Sequence, residues 1–149
     1  DLHGIAVDAR ELDRPGPSYT ADTLAGLRHE YGAERTLIWI IGADILATLP
    51  RWSRWRELLE FAHIVVMGRP DAEPHPPDVS AWLEENKSDQ AGLLSRPGGG
   101  VFTLAQPLLD ISSSDIRAMI AAGRDPRFLL PDGVMEYISD HALFSRDLV

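Results

Sequence analysis

Two continuous apolar runs constrain the fold of this chain more than any other feature of its sequence. They are Thr36–Gly42 and Ala62–Gly68, and each ends at a glycine. Runs of this length without alternating polar residues predict strands that are buried on both faces. A helical segment from about Trp55 to Phe61 separates them, and strands that alternate with helices predict a mainly parallel sheet in an α/β layered fold. Ligands of such sheets bind beyond the carboxyl ends of the strands, so candidate site residues are expected directly after these runs.

Further segments extend the α/β pattern on both sides of the two runs. Partial alternation of apolar and polar residues predicts a strand over Gly4–Leu12, and a shorter strand is predicted at Val101–Leu104. A helix is predicted to begin at a cap on Ser18 or Thr20 and to end near Tyr31, where Gly32 suits a helix terminus. The remaining predicted elements are a proline-rich loop over Asp71–Pro77 and helices over Val79–Lys87, Ser112–Ala122 and Asp132–His141.

The composition predicts one compact domain over residues 1–149. The chain is 44% hydrophobic and 25% charged, which is enough apolar material for a core. It contains no apolar run long enough to cross a membrane, and its first residues lack the pattern of a secretory signal. Because the chain has no cysteine, disulfides and thiolate chemistry are excluded from it. A cytoplasmic protein is therefore expected.

The charge of the chain favours a small anionic ligand over a polyanion. A net charge of -9 repels nucleic acid and acidic membranes at long range, so neither is expected as a partner. Lys87 is the only lysine among the 14 basic residues, so phosphate recognition is expected to rest on arginine side chains. For most of these arginines, genomic base composition explains their number equally well.

The segment after the first apolar run carries candidate ligand-binding residues. Gly42 allows a close approach of the backbone, and Asp44 follows it at the expected carboxyl end of the strand. Asp44 by itself is better explained as a helix cap. Trp52 lies between Arg51 and Arg54 and is interpreted either as a core residue or as a platform that stacks on a heteroaromatic ring.

Two predicted helix starts carry hydroxyl groups that suit an anion. At Ile111–Arg117, serine hydroxyls and free backbone N–H groups form an anion site to which Arg117 adds charge. A capping box between Ser112 and Asp115 explains the same residues, and the two interpretations are compatible. The segment Arg14–Leu24 has hydroxyls after a rigid turn, and ordinary capping explains it at least as well.

Several common kinds of catalytic site have no support in the sequence. The histidines are widely scattered and none has the spacing of a zinc site; they are His3, His29, His63, His75 and His141. No GxSxG, Walker or GxGxxG motif occurs, so a serine hydrolase, a P-loop enzyme and a dinucleotide-dependent dehydrogenase are not indicated.

Five motifs in one order resemble the bacterial nicotinate-nucleotide adenylyltransferases. They are RPGPSYTADTL, WIIGADILATLPRWSRW, AHIVVMGRP, ISSSDIR and PRFLLPDGVMEYISDHALF, and the resemblance extends from about Val7 to Phe144. The resemblance implies a Rossmann-like nucleotidyltransferase fold, with ATP and nicotinate mononucleotide as substrates and Mg²⁺ as cofactor. The implied products are nicotinate adenine dinucleotide and pyrophosphate.

The resemblance also implies roles for individual residues. Backbone groups of Ser18, Tyr19 and Thr20 correspond to the segment that receives the nicotinate carboxylate, and Trp52 to the aromatic that stacks on the pyridine ring. The resemblance places the remaining residues as follows: Gly42 and Asp44 line the nucleotide site, Arg69 binds substrate, Ser113 and Ser114 bind the ATP phosphates, and Arg117 binds those phosphates and acts in catalysis. Ser114 stands where the family usually has threonine, and this difference keeps the hydroxyl.

One family motif has no counterpart in this sequence. The family opens with a glycine-rich loop of the form Gly-x-Phe-Asp-Pro-x-His-x-Gly-His, whose histidines hold the ATP phosphates, and no such segment occurs here. We therefore expect the chain to begin after the first strand–helix part of the fold. Three alternatives stay open: a non-catalytic fragment that binds nicotinate mononucleotide, a related adenylyltransferase with another acceptor, and a structural α/β remnant with no function of its own. A homo-oligomer is a further possibility.

Overall fold

A computed structural model describes residues 4–68, 75–105 and 111–144 of the chain. The chain divides into two compact units, Asp1–Leu108 and Leu109–Val149. The helices and strands of the first unit are α1 (Thr20–Tyr31), β1 (Ile38–Gly42), α2 (Leu58–Phe61), β2 (His63–Met67), α3 (Pro77–Glu85), α4 (Gln90–Leu94) and β3 (Val101–Leu104). Those of the second unit are α5 (Ser113–Ala121) and α6 (Asp132–Asp140).

The three described strands form one parallel sheet in the order β1-β2-β3. Ile40 of β1 lies opposite Val65 of β2, and Val65 lies opposite Phe102 of β3. Helices separate the strands along the chain, as required for parallel neighbours. The predicted parallel sheet and α/β layered fold are therefore confirmed.

Strand β1 is buried on one face only, so the prediction of burial on both faces is wrong for it. Ile41 is buried and Trp39 half-buried, whereas Ile38 is 44% and Ile40 60% exposed. Among the described strands β1 pairs with β2 alone, which makes it an edge of this sheet. The apolar run predicts the strand correctly, but it does not reveal that one face of that strand is largely exposed among the described residues.

The core of the first unit lies on the other face of the sheet, against α1, α2 and α3. Ile64 and Val66 of β2 are buried there, and the Trp55 and Trp82 rings meet edge to face with centroids 5.2 Å apart. The core cluster comprises Ala21, Leu24, Ile41, Ala43, Leu46, Leu49, Trp55, Leu58, Leu59, Ala62, Ile64, Val66, Val79, Trp82 and Val101. This core fixes the sheet and the starts of the segments that follow its strands.

The predicted strand over Gly4–Leu12 is wrong. The chain turns there, with the Leu12 amide donating to the Ala9 carbonyl at 2.8 Å, and Val7 is 96% exposed. The Asp8 carboxylate accepts a hydrogen bond from the Arg10 backbone amide at 3.0 Å, and this bond lowers the pKa of Asp8. Local polar bonds of this kind compete with strand pairing, and no described strand lies beside the segment to outweigh them.

The predicted start of α1 is also wrong in its cap. The capping position is Tyr19, no side chain caps it, and the Ser18 hydroxyl instead donates to the Glu11 carbonyl at 3.0 Å. The predicted end is confirmed, because α1 ends at Tyr31 and Gly32 follows with φ +84°. The helix at Gln90–Leu94 was not predicted, although Asp89 caps it.

Candidate active site

A cavity of about 290 Å³ gathers most of the predicted acceptor-binding residues. It is lined by Ser18, Tyr19, Thr20, Arg51, Trp52 and Ser53. The structure thus brings Trp52 together with the Ser18–Thr20 segment, although more than 30 residues separate them in the sequence. The prediction left out Arg51 and Ser53, and their positions on either side of Trp52 are the signal by which they could have been found.

One wall of the cavity is the start of α1. The loop before it is held against the helix by Glu11, whose carboxylate accepts from the Thr23 hydroxyl at 2.5 Å and whose carbonyl accepts from Ser18. Arg14 donates to the same Thr23 hydroxyl at 3.4 Å. Since no side chain caps the helix, backbone N–H groups of its first turn remain without a side-chain acceptor. Such groups suit a carboxylate or phosphate.

The other wall is the segment after β1. A 3₁₀-helical turn over Leu49–Arg51 ends at Trp52, whose backbone is extended. The Trp52 ring is half-buried, and its centroid lies 5.7 Å from that of Trp39 at an angle of 50°. Arg51 is exposed, and no carboxylate within the described ranges forms an ion pair with it. The wall therefore combines a partly supported aromatic ring with a cation available to a ligand.

Gly42 and Asp44 lie together at the carboxyl end of β1, as predicted, but neither lines the cavity. A Cβ atom at position 42 would collide with the Asp44 carboxylate, so glycine is what lets this carboxylate fold back over the strand end. Asp44 is exposed in the first turn of the 3₁₀ helix Ala43–Ala47. The capping position of this helix is Gly42, so no side chain caps it. The interpretation of Asp44 as a helix cap is therefore wrong.

The predicted phosphate-binding residues begin α5, in the second unit. The Ser112 hydroxyl caps the helix by accepting from the Asp115 amide at 3.0 Å, which confirms Ser112 as the cap. The Asp115 carboxylate accepts from the Ser112 hydroxyl at 2.5 Å, whereas in a capping box it would accept from the Ser112 backbone amide. Ser113 and Ser114 are exposed, and Arg117 donates to the Ser114 hydroxyl at 3.2 Å. The cap leaves both further hydroxyls and the arginine at the helix start, where an anion site is predicted.

One predicted site residue lies outside the described ranges, and within them neither a metal-ligand cluster nor a membrane-spanning helix is found. Arg69, predicted to bind substrate, lies outside the described residues. Within residues 4–68, 75–105 and 111–144, no three His, Cys, Asp or Glu side chains come close enough together to hold a metal ion. No helix in the described part of the chain has the length and apolar character needed to cross a membrane.

The sequence matches a known family over most of its length. The sequence model of the cytidylyltransferase-like family matches residues 3–119. A relative from Pseudomonas putida (strain W619), described as a probable nicotinate-nucleotide adenylyltransferase, is 43% identical over 141 residues. That match covers 94% of this chain and 64% of the relative, so the chain spans about two thirds of that relative's length. A relative with the same description from Methylococcus capsulatus is 43% identical over 145 residues, covering 96% of this chain and 69% of the relative.

Solved structures with the same fold come from Plasmodium falciparum. Nicotinic acid mononucleotide adenylyltransferase from that organism, complexed with APC, matches with a TM-score of 0.58 at 17% identity, covering 87% of this chain and 59% of that one. The same enzyme complexed with NaAD matches with a TM-score of 0.57 at 18% identity, covering 86% and 58%. At this identity the likeness establishes the fold, which is the predicted Rossmann-like nucleotidyltransferase fold. The family model, which matches more than half of the chain, shows that the chain belongs to the cytidylyltransferase-like family, and its relatives from Pseudomonas putida and Methylococcus capsulatus are described as probable nicotinate-nucleotide adenylyltransferases.

Proposed function

We propose that this protein transfers the adenylyl group of ATP to nicotinate mononucleotide, giving nicotinate adenine dinucleotide and pyrophosphate in NAD biosynthesis in the cytoplasm. The observation that carries the proposal is the cavity in which Trp52 faces the Ser18–Thr20 segment. The descriptions of the two relatives, each 43% identical, support the same reaction.

The cavity suits the nicotinate ring of the acceptor. Its volume of about 290 Å³ is at the small end of ligand pockets, so it fits a pyridine ring with its carboxyl group better than a whole nucleotide. We propose that Trp52 stacks on the ring, and that the backbone N–H groups of Ser18–Thr20 donate hydrogen bonds to the carboxylate. Arg51 lines the same cavity and supplies a positive charge in a chain of net charge -9.

We assign the ATP phosphates to the start of α5. Ser113 and Ser114 offer hydroxyls there, Arg117 offers a cation, and the helix N-terminus adds its partial positive charge. The phosphate of nicotinate mononucleotide attacks the α-phosphorus of ATP in line. The new P–O bond forms as the bond to the bridging oxygen breaks and pyrophosphate leaves. No protein nucleophile is required, so the rate depends on positioning and on cations placed where charge develops.

We assign to Gly42 and Asp44 the lining of the nucleotide site, because both lie at the carboxyl end of β1, where ligands of parallel sheets bind. Magnesium is proposed as the cofactor. Mg²⁺ usually binds through one or two carboxylates, several waters and substrate phosphates, rather than through a cage of protein ligands. An ion bound in this way would arrive with ATP, neutralise its phosphate oxygens and need no cluster of protein ligands; the described residues contain no such cluster.

A second candidate function is binding of nicotinate mononucleotide without transfer by this chain. It is favoured by one observation: every residue that lines the acceptor cavity belongs to the first unit. Acceptor binding would then need none of the residues of α5.

The two candidates are distinguished by pyrophosphate release from ATP and nicotinate mononucleotide in the presence of Mg²⁺. The assay compares this chain with a chimera in which the unmatched part of the Methylococcus capsulatus relative is joined to it. Release by the chimera that requires both substrates supports the transfer reaction. If only the chimera releases pyrophosphate, this chain by itself binds without transfer, whereas release by this chain as well removes the binding-only alternative. No release by either protein, with both folded, contradicts the proposed function.

A further inference from the structure

Arg54 has an unusual backbone conformation next to the acceptor cavity. It follows Ser53, a lining residue of that cavity, and its φ of 54° and ψ of 36° lie in the left-handed region. This region is unfavourable for residues other than glycine, because their Cβ atom is crowded by the backbone. A residue keeps such a conformation only where its surroundings hold it there. The contacts of the Arg54 side chain are therefore candidates for what holds this backbone conformation.

Two carboxylates hold the Arg54 guanidinium group. Its Nη2 donates to Asp22 Oδ1, and its Nη1 lies 3.7 Å from Glu57 Oε2. The hydrogen bond to Asp22 raises the pKa of Arg54, followed by the charge attraction of the same carboxylate. Asp22 belongs to the first turn of α1, whereas Arg54 and Glu57 lie in the segment after β1. The contact to Asp22 therefore connects two separate elements, while the contact to Glu57 stays within one.

The two elements that this ion pair connects are the two walls of the cavity. Asp22 is two residues after Thr20 on one wall, and Arg54 is two residues after Trp52 on the other. We propose that the Arg54–Asp22 ion pair is a positioning device that holds Trp52 at a fixed distance from the start of α1, and so shapes the cavity for nicotinate mononucleotide. This inference rests on the proposed function and adds to it a pair of residues that do not themselves touch the acceptor.

The exposure of the ion pair determines whether its loss should change acceptor binding or folding stability. The Arg54 and Asp22 side chains are 42% and 44% exposed, and ion pairs in such positions contribute little to folding stability. Burial by the surrounding core is retained without the pair, since Leu49 and Trp55 on either side of Trp52 are buried. The loss of the pair is therefore expected to weaken acceptor binding while leaving the unfolding midpoint close to that of the wild type.

Calorimetric titration of this chain with nicotinate mononucleotide tests the inference. Arg54→Ala and Asp22→Asn are each expected to raise the Kd on the order of tenfold, because a misplaced wall costs binding contacts that depend on position. The double variant is expected to bind no more weakly than either single variant, since both remove one interaction. Arg54→Lys keeps the charge and is expected to recover part of the affinity. Arg127→Ala is the matched control, because Arg127 forms an exposed ion pair with Asp125 in the second unit.

The outcomes separate this inference from the proposed function. Wild-type affinity in folded Arg54→Ala, or effects of the two single variants that multiply in the double variant, would overturn the inference alone. A folded wild-type chain that binds no nicotinate mononucleotide would overturn the proposed function, and this inference with it. A fall in the unfolding midpoint of Arg54→Ala that matches its loss of binding would assign the pair to stability and also overturn the inference.

Discussion

His63 shows how a residue with catalytic chemistry can serve the fold alone. It is fully buried in β2, where its Nδ1 accepts from the Gly100 amide at 3.0 Å and its Nε2 lies 2.9 Å from the Arg96 carbonyl. A carbonyl can only accept and an amide N–H can only donate, so Nε2 donates to the Arg96 carbonyl while Nδ1 accepts from Gly100. Both nitrogens are occupied by backbone groups, which leaves His63 no free position for a ligand.

Replacement of His63 by leucine should destabilise the protein. The Gly100 amide would lose its partner in a buried site, which costs about 1–3 kcal/mol. The Arg96 carbonyl would keep only the hydrogen bond from the Thr36 hydroxyl at 3.4 Å. We expect a loss of about 2–4 kcal/mol in the free energy of unfolding, measured by urea denaturation. His29→Gln is the control, because His29 is exposed and should change stability by less than about 0.5 kcal/mol. Equal stability of the two variants would contradict this role.

The sequence indicates only in part that His63 has a structural and not a catalytic role. The histidines lack the spacing of a zinc site in the sequence, and the partners of His63 lie 33 and 37 residues away from it. They meet it only because β2 and β3 are neighbours in the sheet. A histidine inside a predicted buried strand was the available signal, and it indicates burial without indicating the partner.

At the scale of elements, Arg28 connects α1 to the rest of the first unit. Its guanidinium nitrogens make six hydrogen-bond contacts, of which Nη1 shares its two N–H groups among three, with five backbone carbonyls, those of Gly32, Ala33, Arg35, Phe61 and Pro97. These carbonyls come from the turn after α1, the end of α2 and the loop before β3. A planar group with five N–H donors is required to reach them all. Genomic base composition, a sufficient explanation of the arginine content as a whole, does not explain this residue.

Arg28→Lys should therefore destabilise the protein although it keeps the charge. A lysine ammonium group cannot span the two sides of this arrangement, and several carbonyls would lose a charged donor. We expect the free energy of unfolding to fall by about 2–4 kcal/mol in chemical denaturation. Arg35→Lys, at an exposed neighbouring position, should have an effect of less than about 0.5 kcal/mol. A loss of the same size in both variants would show that Arg28 has no special role.

The open face of β1 leads to a prediction about self-association. Exposed apolar side chains on an edge strand promote pairing with another chain, and lysine there opposes it. Ile40→Lys should reduce concentration-dependent association in sedimentation velocity and leave the free energy of unfolding within about 0.5 kcal/mol of the wild type, since Ile40 is 60% exposed. Leu94→Lys, on α4 and 67% exposed, is the control and should not change association. Unchanged association of Ile40→Lys would exclude β1 as the contact.

Elements with a strong apolar pattern were predictable, and elements that depend on neighbours were not. The bounds of β3 were predicted without error, and β2 and α6 to within one residue at each end. The segment Gly4–Leu12 partly alternates apolar and polar residues, as a strand does, but it forms turns. Strand formation needs a partner that the segment's own residues cannot specify. The cap of α1 failed for a related reason: the Ser18 hydroxyl bonds Glu11, which lies seven residues earlier.

At the scale of the whole molecule, the proposed site residues divide between the two units. The acceptor cavity belongs to Asp1–Leu108, and the residues assigned to the ATP phosphates belong to Leu109–Val149. The sequence predicted both sets from their positions after a strand or at a helix start. It could not predict which residues share a cavity, because the approach of Trp52 to Thr20 depends on packing between distant segments.

This division is tested most directly by steady-state formation of nicotinate adenine dinucleotide by the chimera with the Methylococcus capsulatus segment and by two variants of that chimera. Trp52→Ala removes the proposed stacking partner and should raise the KM for nicotinate mononucleotide about tenfold, with little change in the KM for ATP. Arg117→Ala removes the proposed phosphate cation and should raise the KM for ATP, or lower kcat, with little change in the KM for nicotinate mononucleotide. Two variants that change the same constant, or that leave both constants unchanged, would contradict the assignment of the acceptor to the first unit and of the ATP phosphates to the second.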